Sequence, residues 1–110
     1  MTHPCFRIPR QSGWDWDENR KLRYRRIDSY LTPLTVPMKE YPGQAGGATI
    51  SFHRPLEQYI NGLGECGLLV DSMSEIPYPA SENGAKAEKR ASQEIPLFLA
   101  LRARKLRHSG

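Results

Sequence analysis

The chain has 110 residues, of which 38% are hydrophobic and 25% charged, and its formal net charge is +4. A chain of this length holds one small domain with a modest core, and a mean hydropathy of −0.64 marks much of it as wet. No apolar run approaches the ~20 residues of a membrane-spanning helix, and the basic excess, without an aromatic-basic recognition motif, does not point to nucleic acid.

Met1–Pro9 reads as the end of a strand, with Cys5, Phe6 and Ile8 bracketed by Pro4 and Pro9. Gly13-Trp14-Asp15-Trp16-Asp17 reads as a loop. Asp17–Arg26 reads as a short helix, because Asp17 and Glu18 suit a helix N-terminus and Arg25 and Arg26 its C-terminal end. Leu34, Val36 and Met38 alternate with Thr35, Pro37 and Lys39, a period of two that predicts an edge strand. Pro42-Gly43 and Gly46-Gly47 predict a turn, and Thr49, Ile50 and Phe52 a returning strand, so Tyr30–Phe52 is expected to be a hairpin.

Pro55 opens the clearest helix. Leu56, Tyr59, Ile60 and Leu63 fall at i, i+3, i+4 and i+7, and Gly67 suits the left-handed residue just past the end. Leu68–Ile76 predicts a strand that begins apolar and ends polar. Pro77-Tyr78-Pro79 stops it, Ser81–Asn83 is a capping loop, and Ala85–Gln93 has a helix-forming composition. Ile95–Leu101 predicts the last strand. It has Ile95, Leu97, Leu99 and Leu101 on one face and Phe98 and Ala100 on the other, as in a strand sandwiched inside an α/β sheet. A basic tail follows.

Three stretches carry a family resemblance: His3-Pro4-Cys5-Phe6, Phe52-His53-Arg54-Pro55-Leu56 with Tyr59, Ile60, Leu63 and Cys66-Gly67-Leu68, and Glu94-Ile95-Pro96-Leu97-Phe98-Leu99. Together they resemble the second half of class I S-adenosylmethionine-dependent methyltransferases, particularly the bacterial type 11 group. The resemblance implies an α/β, incomplete Rossmann-like fold over residues 1–104 with a β-hairpin insertion, followed by a basic tail at 105–110. It implies that the first stretch ends the fifth strand at the active-site rim and that the second is the helix before the sixth strand. The third is then the final strand, antiparallel between the fifth and the sixth. It also implies S-adenosyl-L-methionine as cofactor and a small-molecule methyl acceptor. The family's Gly-rich cofactor loop follows a buried strand and opens a helix. Gly43 and Gly46-Gly47 do neither, so the cofactor-binding half is expected to be absent from these residues and the chain to be inactive alone. The implied partners are that missing half or a second copy.

The candidate substrate-binding residues are His3, Trp14, Trp16, His53 and Arg54. On the resemblance His3 is a polar group at the rim; otherwise it is a terminal histidine without a role. Trp14 and Trp16 either wall a substrate pocket or pack a loop against the missing half. His53-Arg54 either orients an acidic or polar substrate or starts a helix. Arg20–Arg26 is a phosphate- or lipid-binding run or a solvated face. His3 with Cys5 supplies too few ligands for a closed zinc site. No Ser/His/Asp set or carboxylate pair has useful spacing, which suits methyl transfer, where the bound donor brings the reactive group. Two unpaired-looking cysteines and no signal peptide at Met1-Thr2-His3-Pro4 predict a reduced, cytoplasmic setting. The alternative function is a small basic binding module without catalysis.

Overall fold

A computed structural model of the protein describes residues 1–38, 49–79 and 84–106. These residues form a mixed α/β arrangement, mostly strand, with three antiparallel ladders and two helices. The hairpin tip at 41–47, the loop at 81–83 and the tail at 107–110 lie outside the described residues.

The first ladder joins β1 (Ser12–Asp17) to β2 (Leu22–Ile27), with Trp14 opposite Arg25 and Trp16 opposite Arg23. The expected loop at Trp14–Trp16 and the expected helix at Asp17–Arg26 are therefore both replaced by a hairpin. The helix expectation rested on charge placement alone. No apolar stripe at helical spacing supports it, whereas Trp14, Trp16 and Tyr24 favour a pleated surface. The turn is made locally: Asp17 Oδ1 accepts the Arg20 N–H at 3.0 Å, and Lys21 takes φ 53°.

The expected strand at Cys5–Ile8 is also corrected. Pro4, Cys5 and Phe6 turn the chain, and the pairing falls instead on Met1–His3. Pro4 has no N–H to continue a ladder. The His3 N–H donates to Leu97 O at 2.9 Å, and the Leu99 N–H donates to Met1 O at 2.8 Å.

β3 (Leu34–Met38) and β4 (Thr49–His53) pair as the alternation predicts, with Val36 opposite Ser51. α1 (Leu56–Glu65) follows Pro55, which stands at the N-cap position, just outside the helix, and makes no side-chain hydrogen bond to it. Its last turn closes on Cys66 and Gly67, and Gly67 takes φ 79°, the left-handed conformation that glycine adopts without a Cβ penalty. β5 (Leu68–Pro77) and β6 (Pro96–Lys105) form the longest ladder, antiparallel, with Glu75 opposite Leu99 and Ile76 opposite Phe98. α2 (Lys86–Glu94) connects them and packs on β2 and β5, while α1 packs on β5.

The core is small. Among the described residues the buried apolar side chains are Ile8, Val36, Ala91, Leu97 and Leu99, together with Pro4 and Pro55. β6 is covered on the Leu97–Leu99 face only, so the expected two-sided coverage is not present. On the opposite face Ala100 is exposed, and Ile76 and Leu69 of β5, paired with Phe98 and Arg104, are 45% and 49% exposed. None of the helices is long and apolar enough to cross a membrane.

Candidate functional site

A partly buried polar belt joins the N-terminal segment, the second hairpin, α1 and β5. His3 is 3% exposed. Its Nδ1 accepts the Cys5 N–H at 3.1 Å, which leaves the ring proton on Nε2, 2.8 Å from Glu75 Oε2. His3 thus links the N-terminal turn to a carboxylate on β5, with the Phe6 ring 4.9 Å away between centroids.

The Cys5 thiol donates to Tyr30 Oη at 3.7 Å, and the same oxygen accepts the Leu56 N–H at 2.9 Å. Tyr30 therefore satisfies one of the donors that a helix N-terminus leaves open, a task Pro55 has no side-chain oxygen to perform. Burial holds the Tyr30 hydroxyl above the usual tyrosine range, opposed by the hydrogen bond from Leu56. His53, 2% exposed, donates from Nε2 to the Tyr30 carbonyl at 2.6 Å.

The five sequence-derived residues are not gathered at one point. His3 and His53 belong to the belt, linked through Cys5 and Tyr30, and both rings are engaged by the protein's own groups. Arg54 is exposed beside them. Trp14 lies in the first hairpin, with the Arg23 and Arg25 guanidiniums 4.7 and 5.2 Å from its ring centroid. Trp16 is exposed and donates its indole N–H to Glu18 at 2.7 Å.

Clefts lie around this frame among the described residues. One of about 480 Å³ lies between β2 and α2, floored by Leu22, Ala87, Ala91 and Ile95 and edged by Lys86 and Arg90. One of about 230 Å³ is walled by Trp14, Tyr78 and Ser92. The third, about 260 Å³, adjoins the N-terminal turn and contains Arg7, Arg10 and Arg25 with the hydroxyl-bearing Thr2, Ser12 and Ser51.

The residues present do not fit a cradle for S-adenosylmethionine. Such a cradle needs a Gly-rich turn between a buried strand and a helix N-terminus. Among the described residues Gly13 lies in β1, Gly62 and Gly64 lie inside α1, Gly67 ends it, and Gly84 stands as a single glycine before α2. No set of three His, Cys, Asp or Glu side chains that could hold a metal comes together among the described residues.

Sequence reasoning missed Tyr30, Glu75, Arg7 and Arg10. Only Pro9 hinted at the turn that presents Arg10. No protein-family profile, curated protein or solved structure matches this chain.

Proposed function

We propose that the chain is the acceptor-side part of a class I S-adenosylmethionine-dependent methyltransferase, acting on a small molecule, with the cofactor held by a half of the fold outside these residues. One observation carries the reading. β6 lies between the N-terminal segment and β5 and runs antiparallel to both, through the bridge Thr2–Phe98 on one side and the full ladder on the other. The final strand of that family holds the same place, antiparallel between the fifth and sixth strands. The connection to β5 runs through two hairpins, where the resemblance implies one, and then α1, and the order of α1, β5, α2 and β6 is the one that the resemblance implies.

In this reading the chain's own residues shape and close the acceptor side and carry no reactive group. The His3–Glu75 pair and the Cys5–Tyr30–His53 links fix the N-terminal turn against α1 and the second hairpin, so that the rim is rigid when an acceptor arrives. The exposed apolar face at Leu69, Ile76 and Ala100 is where the remaining half would pack.

The test compares two proteins by isothermal titration with S-adenosylmethionine: this chain, and the chain extended through the reading frame preceding Met1. The extended protein is expected to bind with micromolar affinity, and the 110-residue chain not to bind. An extended protein that leaves S-adenosylmethionine unbound, or micromolar binding by the chain alone, contradicts the proposal.

A further inference from the structure

We propose that Arg7, Arg10 and Arg25 form a binding site for the oxyanion of an organic ligand, a phosphomonoester or a carboxylate, in the cleft beside the N-terminal turn. The methyltransferase reading is not needed for the site to bind; on that reading, the anion is the polar group by which the acceptor is held.

The first argument is charge. Four other arginines have carboxylate partners: Arg23 pairs with Glu88, Arg26 with Asp28, and Arg102 and Arg104 with Asp71. Arg7, Arg10 and Arg25 line one cleft of about 260 Å³ and make no ion pair among the described residues. The Arg7 guanidinium lies 5.4 Å from the Phe98 ring centroid and Arg10 Nη2 donates to Pro37 O at 3.4 Å, neutral partners that leave the positive charge of the cleft unbalanced.

The second argument is preorganisation. Arg25 donates Nε–H to Phe6 O at 2.7 Å and an Nη2–H to Ser12 Oγ at 3.1 Å. Ser12 is itself fixed, accepting the Ile8 N–H and donating to Ile8 O, both at 2.7 Å. Two of the five guanidinium N–H groups are thereby used to hold the fork still, and the others remain for a ligand. Burial, then repulsion from Arg7, Arg23 and Arg26, pulls the Arg25 guanidinium below its ordinary value. An anion in the cleft would relieve that repulsion.

The third argument is backbone strain. The Gln11 N–H closes a turn on Ile8 O at 3.2 Å, with Pro9 and Arg10 at its corners. Arg10 takes φ 61°. A turn with proline first and a positive φ second is the type that favours glycine at the second corner. An arginine there is unfavourable for the fold, and it adds a third arginine to the lining of the cleft. Strain held at a ligand site is a recurring pattern.

Phenyl phosphate, benzoate and benzyl alcohol serve as probes, titrated into the 110-residue chain by calorimetry, with inorganic phosphate as competitor. Either anion is expected to bind at least tenfold more tightly than benzyl alcohol. Preference between phenyl phosphate and benzoate identifies the oxyanion. Arg10→Gly is the deciding variant, because it should raise the melting temperature while weakening anion binding severalfold. Arg25→Gln should weaken it tenfold or more, and Arg102→Gln, away from the cleft, should leave it unchanged. The proposal is overturned if Arg10→Gly stabilises the chain without loss of affinity, if benzyl alcohol binds as well as the anions, or if Arg102→Gln weakens binding as much as Arg25→Gln does.

Discussion

The two basic runs of this chain look alike in sequence and differ in structure. Arg102 and Arg104 lie at the end of β6 and both reach Asp71, which a register shift between Val70 and Ser72 sets apart in β5. Those two guanidiniums share one carboxylate on an exposed surface. Arg25, from the run at Arg20–Arg26, meets Arg7 and Arg10 from the N-terminal turn and no carboxylate among the described residues. Its guanidinium holds backbone and hydroxyl oxygens instead. Charge density therefore says little about binding until the counter-charges are located. Within the second run Lys21, Arg23 and Arg26 pair with Glu18, Glu88 and Asp28, and Arg25 stands apart from them as the guanidinium held by neutral oxygens.

The comparison can be sharpened by weakening each region in turn. The largest effect is expected from Leu99→Ala. Leu99 is 1% exposed, and its N–H and carbonyl face the N-terminal segment that carries Arg7 and Arg10. Truncation should remove about 3 kcal/mol, a large fraction of the stability of so small a domain. Guanidinium titration followed by circular dichroism measures it; a loss below about 1 kcal/mol would mean that the β5–β6 ladder does not anchor the N-terminal turn.

Next in size is Arg10→Gly. Relieving a left-handed non-glycine residue should stabilise the chain by about 1 kcal/mol, visible as a rise in melting temperature, while anion affinity falls. Smallest is Asp71→Asn. The pair it breaks is exposed, so the loss should be slight and should vanish in high salt. The hydrogen bond from Arg102 holds the Asp71 carboxyl below its ordinary value of 3.8. Its contribution is thus fully present above the ordinary value and is lost as pH falls through the lowered one. An NMR titration of the Asp71 carboxyl should show a midpoint below 3.8 in the parent chain, and the midpoint should return toward that value in Arg102→Gln.

Much of the fold was legible in the sequence. α1 was marked by the spacing of Leu56, Tyr59, Ile60 and Leu63 between Pro55 and Gly67, and β3 by strict alternation. β5, α2 and β6 follow the expected boundaries closely, although β6 continues to Lys105. The first hairpin does carry a period of two, Trp14 and Trp16 alternating with Asp15 and Asp17 and Leu22 and Tyr24 with Arg23 and Arg25, but each run is short and the placement of charge along Asp17–Arg26 imitates a helix. The site was the least legible part. His3 meets Glu75 across 72 positions and Cys5 meets Tyr30 across 25, and neither pairing leaves a local pattern. His3 and His53 were found as residues, but their partners were set by the packing of α1, β5 and the N-terminal turn.

The most direct test of the account follows the backbone of β6. Hydrogen bonds alternate sides along an antiparallel strand. The Leu99 N–H bonds Met1 O, away from β5, and the Leu106 N–H bonds Gly67 O, on the β5 side. The amides of Leu101 and Ala103 therefore point to the same edge as that of Leu99, where no strand pairs with them among the described residues. If β6 is the inner strand of a larger sheet, residues preceding Met1 would cover that edge. Amide hydrogen exchange should show Leu101 and Ala103 exchanging fast in the 110-residue chain and at least a hundredfold more slowly in the protein extended through its upstream frame. Fast exchange at both amides in the extended protein would contradict the account.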